Sequence, residues 1–162
     1  MKILAIDPSG NFTEGKGTTG WSLLDDSINI LACGQILANN YEHKEAYWES
    51  IINLIDTLQP DRLVIEDFLL YASKSNNQIN SRFETPKLIG LIEMYAYKHN
   101  LSIKLQRAVD VKNRWTDEIL VLNKIIDKVG NRYYAGGVMI SEHIRDSIRH
   151  GVHYIKYQIK KG

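Results

Sequence analysis

The sequence has little cysteine, little proline and no long apolar run. A single cysteine, Cys33, among 162 residues excludes an internal disulfide and a zinc site built on several thiolates. An ordinary composition, 44% hydrophobic and 24% charged with three prolines, excludes a collagen-like or wholly disordered chain. Apolar runs such as residues 119–122 are far shorter than the roughly 20 residues of a membrane helix. We therefore expect a soluble, reduced, single-domain protein over residues 1–162, with no membrane association.

The charge is balanced over the whole chain but divided along it. The first 67 residues carry 11 acidic and 4 basic side chains, whereas residues 68–162 carry 8 acidic and 16 basic ones. Such a division is consistent with an acidic metal site beside a surface for a polyanion. Chance clustering on solvated faces would give the same counts, so both interpretations stay open at this point.

Apolar periodicity predicts three strands followed by alternating helices and strands. The predicted strands cover residues 2–6, 18–24, 28–37, 63–65 and 101–105. Helices are predicted over about residues 43–58 and 86–99, and a final helix over 140–159. Residues 109–129 are predicted to be helical in pieces, and residues 130–137 to form a loop. The order β-β-β-α-β-α-β-α indicates an α/β fold with a mixed five-stranded sheet flanked by helices.

Two predicted strands run directly into a carboxylate, at Asp7 and at Glu66. In α/β sheets, ligand sites gather at the strand ends, where side chains converge. A carboxylate at the tip of an apolar strand is costly to bury unless it is paired, hydrogen-bonded or bound to a metal. Either residue could equally cap a strand end or form an ordinary salt bridge.

The last predicted helix carries polar residues at the border of its apolar face. His143 and Asp146 are three residues apart, so they lie on one side of the helix and can reach the same point. His150 and His153 extend that side by a turn, and we interpret them as supporting or surface residues. An exposed helix with two polar residues would show the same spacing. The apolar face itself consists of Ile140, Ile144, Ile148, Val152, Ile155 and Ile159.

Three carboxylates and one histidine make an oxygen-rich set of candidate ligands: Asp7, Glu66, Asp146 and His143. Such a set suits Mg²⁺ or Mn²⁺ better than zinc, which favours nitrogen and sulfur ligands. Two such ions roughly 3.5–4 Å apart can activate a water and stabilise the leaving oxygen in phosphodiester hydrolysis.

Four short motifs, in order along the chain, resemble those of RuvC-type Holliday-junction resolvases, and most closely their bacteriophage branch. The motifs are Ile6-Asp7-Pro8-Ser9, Thr19-Gly20-Trp21, Val64-Ile65-Glu66-Asp67-Phe68, and His143-Ile144-Arg145-Asp146-Ser147 with His150. The resemblance spans essentially the whole chain and implies a ribonuclease H-like fold. It also implies that Asp7, Glu66, His143 and Asp146 form the catalytic, metal-binding tetrad for two Mg²⁺ ions, with Mn²⁺ able to substitute. The family carries either Asp or His at the position of His143.

The resemblance implies a metal-dependent endodeoxyribonuclease of the crossover-junction type. It would act as a homodimer on four-way junctions, and possibly on flaps and forks, in the cytoplasm of a bacterium or a phage-infected cell. Its role would be recombination, repair or the processing of replicating phage DNA. The loop after Asp7 is longer than in the cellular enzymes, with residues 11–16 inserted, and their sequence-reading features are not evident. No cleavage-site preference is therefore carried over.

A DNA surface needs basic side chains for phosphates and aromatic rings for bases. Phe68, two residues after Glu66, would by resemblance stack on bases near the branch point, or else complete the strand as a core residue. Each basic candidate could instead be an ordinary solvated side chain. The candidates for phosphate contacts are Lys74, Arg82, Lys87, Lys112, Arg114, Arg145 and Arg149.

Other functions share parts of this pattern. Actin-like kinases also begin with a strand, an Asp and a Gly/Thr turn, but 162 residues cannot supply their second, duplicated domain. A junction-binding module without catalysis would not need the four ligand-type residues. A ribonuclease H acting on RNA–DNA hybrids would differ mainly in its substrate, so it stays open together with the inactive module.

Overall fold

A five-stranded mixed sheet forms the centre of the computed structural model, which describes residues 1–69 and 83–159. Its strands lie in the order β3-β2-β1-β4-β5; β2 is antiparallel to β1 and β3, whereas β4 is parallel to β1 and β5. The mixed five-stranded sheet predicted from the sequence is confirmed. The strands are β1 (Lys2–Asp7), β2 (Thr18–Asp25), β3 (Ile30–Leu37), β4 (Arg62–Asp67) and β5 (Ser102–Arg107).

Helices cover both faces of this sheet. On one face lie α1 (Lys44–Leu58) and α2 (Glu84–Lys98), and on the other lies α5 (Glu142–Tyr154) with the short helices α3 (Ala108–Lys112) and α4 (Asp117–Leu122). The two main helices begin and end within two residues of their predicted bounds. The final helix begins two residues later than predicted, and a π-helical segment (Ile155–Ile159) continues it to the predicted end. Within the described ranges, none of the helices has the length and apolar character that crossing a bilayer requires.

The central strand β1 is buried on both of its faces. Side chains alternate across a strand, so Ile3 and Ala5 face α5 while Leu4 and Ile6 face α1 and α2. All four are fully buried. This double burial explains why β1 is a continuous apolar run rather than an alternating one, and it places the end of β1 between the two helical layers.

A second, three-stranded antiparallel sheet follows α4, and the sequence analysis missed it. It consists of β6 (Asp127–Val129), β7 (Arg132–Ala135) and β8 (Val138–Ile140). The prediction of helical pieces over residues 109–129 is confirmed for α3 and α4 but wrong for residues 127–129, and the predicted loop over 130–137 was wrong because it contains β7. Strands of three or four residues are too short to show an alternating pattern. The available signal was the pair of turns at 130–131 and 136–137, where three glycines adopt positive φ as tight hairpins require.

Two predicted boundaries moved because polar side chains bind the backbone. Strand β3 begins at Ile30 rather than at residue 28, because the Asp25 carboxylate accepts hydrogen bonds from the N–H groups of Ser27 and Asn29 and closes a turn. The last helix begins after Ser141, whose hydroxyl caps it by accepting from the N–H of Ile144.

Candidate metal centre

Three carboxylates from three separate elements meet at one edge of the central sheet. Asp7 ends β1 and Glu66 lies near the end of β4, and the parallel register pairs Ile6 with Ile65, so the two acids emerge side by side. Asp146 reaches them from α5. One carboxylate oxygen of each residue lies within 4.8 Å of the other two. The structure thus brings together three members of the predicted tetrad.

The approach of α5 to the sheet depends on a glycine. Gly20 on β2 is the register partner of Asp7. A Cβ at this position would lie 2.1 Å from the carbonyl oxygen of His143, closer than any real contact. The missing side chain lets the first turn of α5 rest on β2, where His143 Nδ1 lies 3.1 Å from Asp7 Oδ2. The Thr-Gly-Trp motif therefore has a steric role in assembling the site.

The long loop that follows β1 is tied to the helices around it. The Thr19 hydroxyl accepts from the N–H of Ser9 at 3.1 Å, and the Tyr47 hydroxyl donates to the Ser9 carbonyl at 2.6 Å. The N–H of Gly10 donates to the Thr85 hydroxyl at 3.0 Å. These bonds tie the residues just after β1 to β2, α1 and α2. They therefore constrain the backbone beside Asp7.

The electrostatics of the cluster favour added positive charge. Burial, together with the nearby carboxylates of Glu66 and Asp146, raises the pKa of Asp7 despite the hydrogen bond from His143. That hydrogen bond raises the pKa of His143 more than its partial burial lowers it. A cation placed between buried carboxylates that repel one another lowers their electrostatic free energy.

One such cation is Lys112, at the end of α3. Its Nζ lies 2.8 Å from Asp146 Oδ2 and 3.2 Å from Glu66 Oε2. Burial by itself lowers the pKa of Lys112, but these carboxylates raise it above its ordinary value. Lys112 was predicted from the sequence to contact DNA phosphates, whereas the structure places it within the acidic cluster. Its position just after β5, the neighbour of β4, was the available signal.

His150 contacts the cluster through Glu66, from the interior of the protein, and is fully buried. Its Nε2 lies 3.0 Å from Glu66 Oε2, and its Nδ1 lies 2.9 Å from Gln106 Oε1. Burial raises the pKa of Glu66, but the hydrogen bond from His150 and the charge of Lys112 outweigh it, so the pKa is lowered. The sequence interpretation of His150 as a supporting residue agrees with this placement, but nothing local identified its partners.

Arg145 and Arg149 are occupied by carboxylates rather than exposed for phosphates. Arg149 is buried and forms ion pairs with Asp146 and Asp117. Arg149 contacts Oδ1 of Asp117, and Arg145 Nε lies 2.9 Å from that same oxygen. Both arginines had been candidates for phosphate contacts; instead Arg149 joins Asp146 to α4, and Arg145 joins α5 to α4 through Asp117. Asp117, the first residue of α4, was not identified from the sequence.

The remaining DNA candidates fall into three groups. Lys87 and Arg114 are exposed and stay predictions. Phe68 is partly buried, and its ring meets that of Phe83 edge to face with 6.5 Å between the centroids. This contact favours the packing role for Phe68 that the sequence left open. The last two candidates lie outside the described residues: Lys74 and Arg82.

The donor set fits a hard divalent cation. Three carboxylate oxygens at this spacing match the ligand preference of Mg²⁺ and Mn²⁺. The side chain of His143 contacts the cluster through Asp7 and is 47% exposed.

Comparisons with known proteins identify the fold. No protein-family model and no curated protein matches the chain. Among solved structures, Thermus thermophilus RuvC in complex with a Holliday junction substrate matches with a TM-score of 0.69 and 13% identity, over 100% of this chain and 98% of that one. Thermus thermophilus RuvC by itself gives a TM-score of 0.67 at 13% identity, over 99% and 97%. The Fowlpox virus resolvase with its substrate Holliday junction DNA gives 0.51 at 14% identity, over 96% and 97%. The chain therefore has the ribonuclease H-like fold of RuvC-type Holliday junction resolvases.

Proposed function

We propose that this chain is a divalent-metal-dependent endodeoxyribonuclease that resolves Holliday junctions and cuts other branched DNA. One observation carries the proposal: Asp7, Glu66 and Asp146 converge at the strand ends of a fold shared with RuvC in complex with a junction. The three residues come from β1, β4 and α5, so their convergence requires the whole fold. A structural salt bridge would need only one of these three carboxylates.

The chain's own residues account for binding and orientation at such a site. Asp7, Glu66 and Asp146 would hold Mg²⁺ or Mn²⁺, with His143 as a fourth candidate ligand. Two ions in a site of this kind supply an activated water and stabilise the leaving oxygen of a phosphodiester. Lys112 adds a positive charge beside the carboxylates, and the exposed ring of His143 holds a proton against Asp7 Oδ2. Both groups can meet the charge of a phosphate.

The proposal includes action as a homodimer, because a four-way junction is two-fold symmetric and presents two equivalent strands. Two active sites in one complex would cut both strands of a supercoiled cruciform plasmid before release, giving linear DNA. A single site would release nicked circles first. Sedimentation as a monomer at micromolar concentration, with nicked circles as the persistent product, would refute the dimer.

The deciding experiment compares substrates that share the same arm sequences. The purified chain is incubated with a four-way junction, a flap, a fork, a linear duplex and an RNA–DNA hybrid, in Mg²⁺, Mn²⁺, Ca²⁺ or EDTA. We expect cleavage of the junction with Mg²⁺ and Mn²⁺, binding without cleavage in Ca²⁺, and little cutting of the linear duplex. Preferred cleavage of the hybrid would instead support a ribonuclease H. Binding without cleavage under every condition would support an inactive junction-binding module.

Variants of the acidic cluster test whether it carries the chemistry. Asp7→Asn, Glu66→Gln and Asp146→Asn are each expected to abolish cleavage while junction binding stays equal or becomes tighter, because negative charge near phosphate is removed. Asp67→Asn is the matched control: it removes the neighbouring acid on β4, which lies outside the three-carboxylate cluster. Equal losses in the control and in the cluster variants, or loss of binding together with cleavage, would contradict the assignment.

A further inference from the structure

Glu66, His150 and Gln106 form a hydrogen-bonded chain across two strands and a helix. Glu66 on β4 is the register partner of Gln106 on β5, so the two side chains leave the sheet side by side. The ring of His150, on α5, bridges them at 3.0 Å and 2.9 Å. His150 has no exposed surface, and Gln106 is also buried. His150 and Gln106 therefore lie beneath the carboxylate cluster, out of reach of a substrate.

The hydrogen bonds assign the direction of this contact. An ionised carboxylate only accepts, so the Nε2 of His150 must carry the proton that is shared with Glu66. A neutral ring meets both contacts when Gln106 turns its NH₂ group to Nδ1; with its oxygen turned to Nδ1, the ring carries protons on both nitrogens. The Nε2 of Gln106 has no other hydrogen-bond partner among the described residues. In both arrangements the donor to Glu66 is His150 Nε2–H.

A buried polar pair at this position calls for a reason, since an apolar side chain would pack there at lower cost. A glutamate side chain rotates about three bonds, and a ligand that must be ordered on binding weakens the metal site. The bond from His150 fixes one carboxylate oxygen of Glu66 and so orders the other before any cation arrives. Partners of this kind change metal affinity by about 10- to 100-fold when they are removed.

We propose that His150, held in place by Gln106, is a positioning residue that orients the Glu66 carboxylate for a divalent cation. The inference rests on the proposed function for the existence of the metal site. Neither residue touches the substrate in this assignment. The competing role is purely structural, in which the two residues only join α5 to β5. The two roles differ in what they predict for metal affinity in the folded protein.

Three substitutions of His150 separate the two ring nitrogens. His150→Gln keeps an NH₂ donor at about the reach of Nε2, toward Glu66. His150→Asn keeps a polar group at about the reach of Nδ1, toward Gln106, and falls short of Glu66. His150→Leu removes both. The measurement is the Mn²⁺ dissociation constant without DNA, from the paramagnetic resonance signal of free Mn²⁺, at a temperature where circular dichroism shows each variant folded.

We expect Mn²⁺ affinity to fall about tenfold or more in the Asn and Leu variants and to stay within about threefold of the wild type in the Gln variant. Gln106→Leu, which keeps His150 but frees its ring, is a second route if the Leu variant does not fold, and it too should weaken Mn²⁺ binding. His153→Leu is the matched control: His153 lies one turn away on α5 and packs against Tyr157 with 4.9 Å between ring centroids. It should leave the affinity unchanged.

Each outcome decides between the two roles. Equal Mn²⁺ affinity in the wild type and all folded His150 and Gln106 variants would overturn the positioning role, as would a Gln variant as weak as the Leu variant. A wild-type chain that binds no Mn²⁺ and cuts no junction would instead overturn the metal site and with it the proposed function. A lower melting temperature with unchanged affinity would establish the structural role.

Discussion

Lys112 gives the sharpest test of how the cluster is charged. Its ammonium group lies 2.8 Å from Asp146 and 3.2 Å from Glu66, among the oxygens that would hold a divalent cation. A metal bound by the same oxygens must displace this group or share them with it. Replacing the lysine with methionine removes the charge and keeps most of the side-chain volume. We therefore expect Lys112→Met to bind Mn²⁺ more tightly than the wild type while it cleaves more slowly.

The size of the effect follows from the two contacts. Hydrogen bonds to charged groups are each worth about 1.5–3 kcal/mol. The side chain of Lys112 is 36% exposed, so solvent screening reduces this value, and we assign about 1.5 kcal/mol to both contacts together. That free energy corresponds to an affinity for Mn²⁺ about tenfold higher in the variant. The metal-free variant should lose a similar free energy of unfolding, because its three carboxylates then repel one another without compensation.

Two measurements check this expectation. Mn²⁺ titration gives the dissociation constant, and urea unfolding with and without Mn²⁺ gives the stability. Mn²⁺ at a hundredfold excess over its dissociation constant adds about 2.7 kcal/mol and should restore the lost stability. Cleavage at saturating metal should remain below the wild-type rate, since a positive charge beside the phosphate is missing. Lys98→Met, at the exposed end of α2, is the control. An unchanged or weaker affinity for Mn²⁺ would refute the competition between lysine and metal.

Further predictions concern His143 and Gly20. His143→Asp should keep substantial Mg²⁺-dependent cleavage, because a carboxylate can ligate metal, whereas His143→Ala should lose most of it and need more metal; equal losses would exclude a ligand role. The hydrogen bond to Asp7 raises the pKa of His143 above its unfolded value of about 6.5, so it stabilises the metal-free protein fully below that pH. The difference in urea-unfolding free energy between wild type and His143→Ala should shrink as the pH rises through the folded-state pKa; a pH-independent difference would contradict this. Gly20→Ala should cost about 3 kcal/mol and abolish cleavage, because its Cβ would meet the His143 carbonyl at 2.1 Å. In the control Gly90→Ala the new Cβ meets nothing within 4 Å, so stability should rise by about 0.5–1 kcal/mol; similar results in the two variants would contradict the close approach.

Much of the fold was predictable because its signals are local and strong. The apolar run of β1, the helical spacing of α1 and the long apolar face of α5 each follow from the repeat of a single element. The small sheet β6–β8 was missed because its sequence signals are weak. Its strands have three or four residues, and most of their side chains are exposed, so no periodic pattern marks them.

The candidate site was predictable in part. Asp7 and Glu66 follow apolar strands, and Asp146 lies three residues after His143, so strand ends and helix spacing made all four candidates. The resemblance to a known family then assigned them to one site. The partners of these residues were not identified. Lys112 and Asp117 occupy short helices; the place of Lys112 just after β5 was a weak signal, and Asp117 had no local one. Arg145 and Arg149 looked like surface cations because the sequence does not show that Arg149 pairs with the buried Asp146 or that both pair with the partly buried Asp117.

The sequence by itself determined the order of the elements and the residues that end them, because hydrophobic periodicity and turn chemistry act between near neighbours in the chain. Only the tertiary structure decided which charges meet. Glu66 and Lys112 are 46 residues apart in sequence, and Asp7 and His143 are 136 apart, yet each pair lies within hydrogen-bonding distance. Coulomb energies and hydrogen bonds depend on distances in space, so the polar partners of each side chain at the site became defined only when the sheet and α5 closed around them.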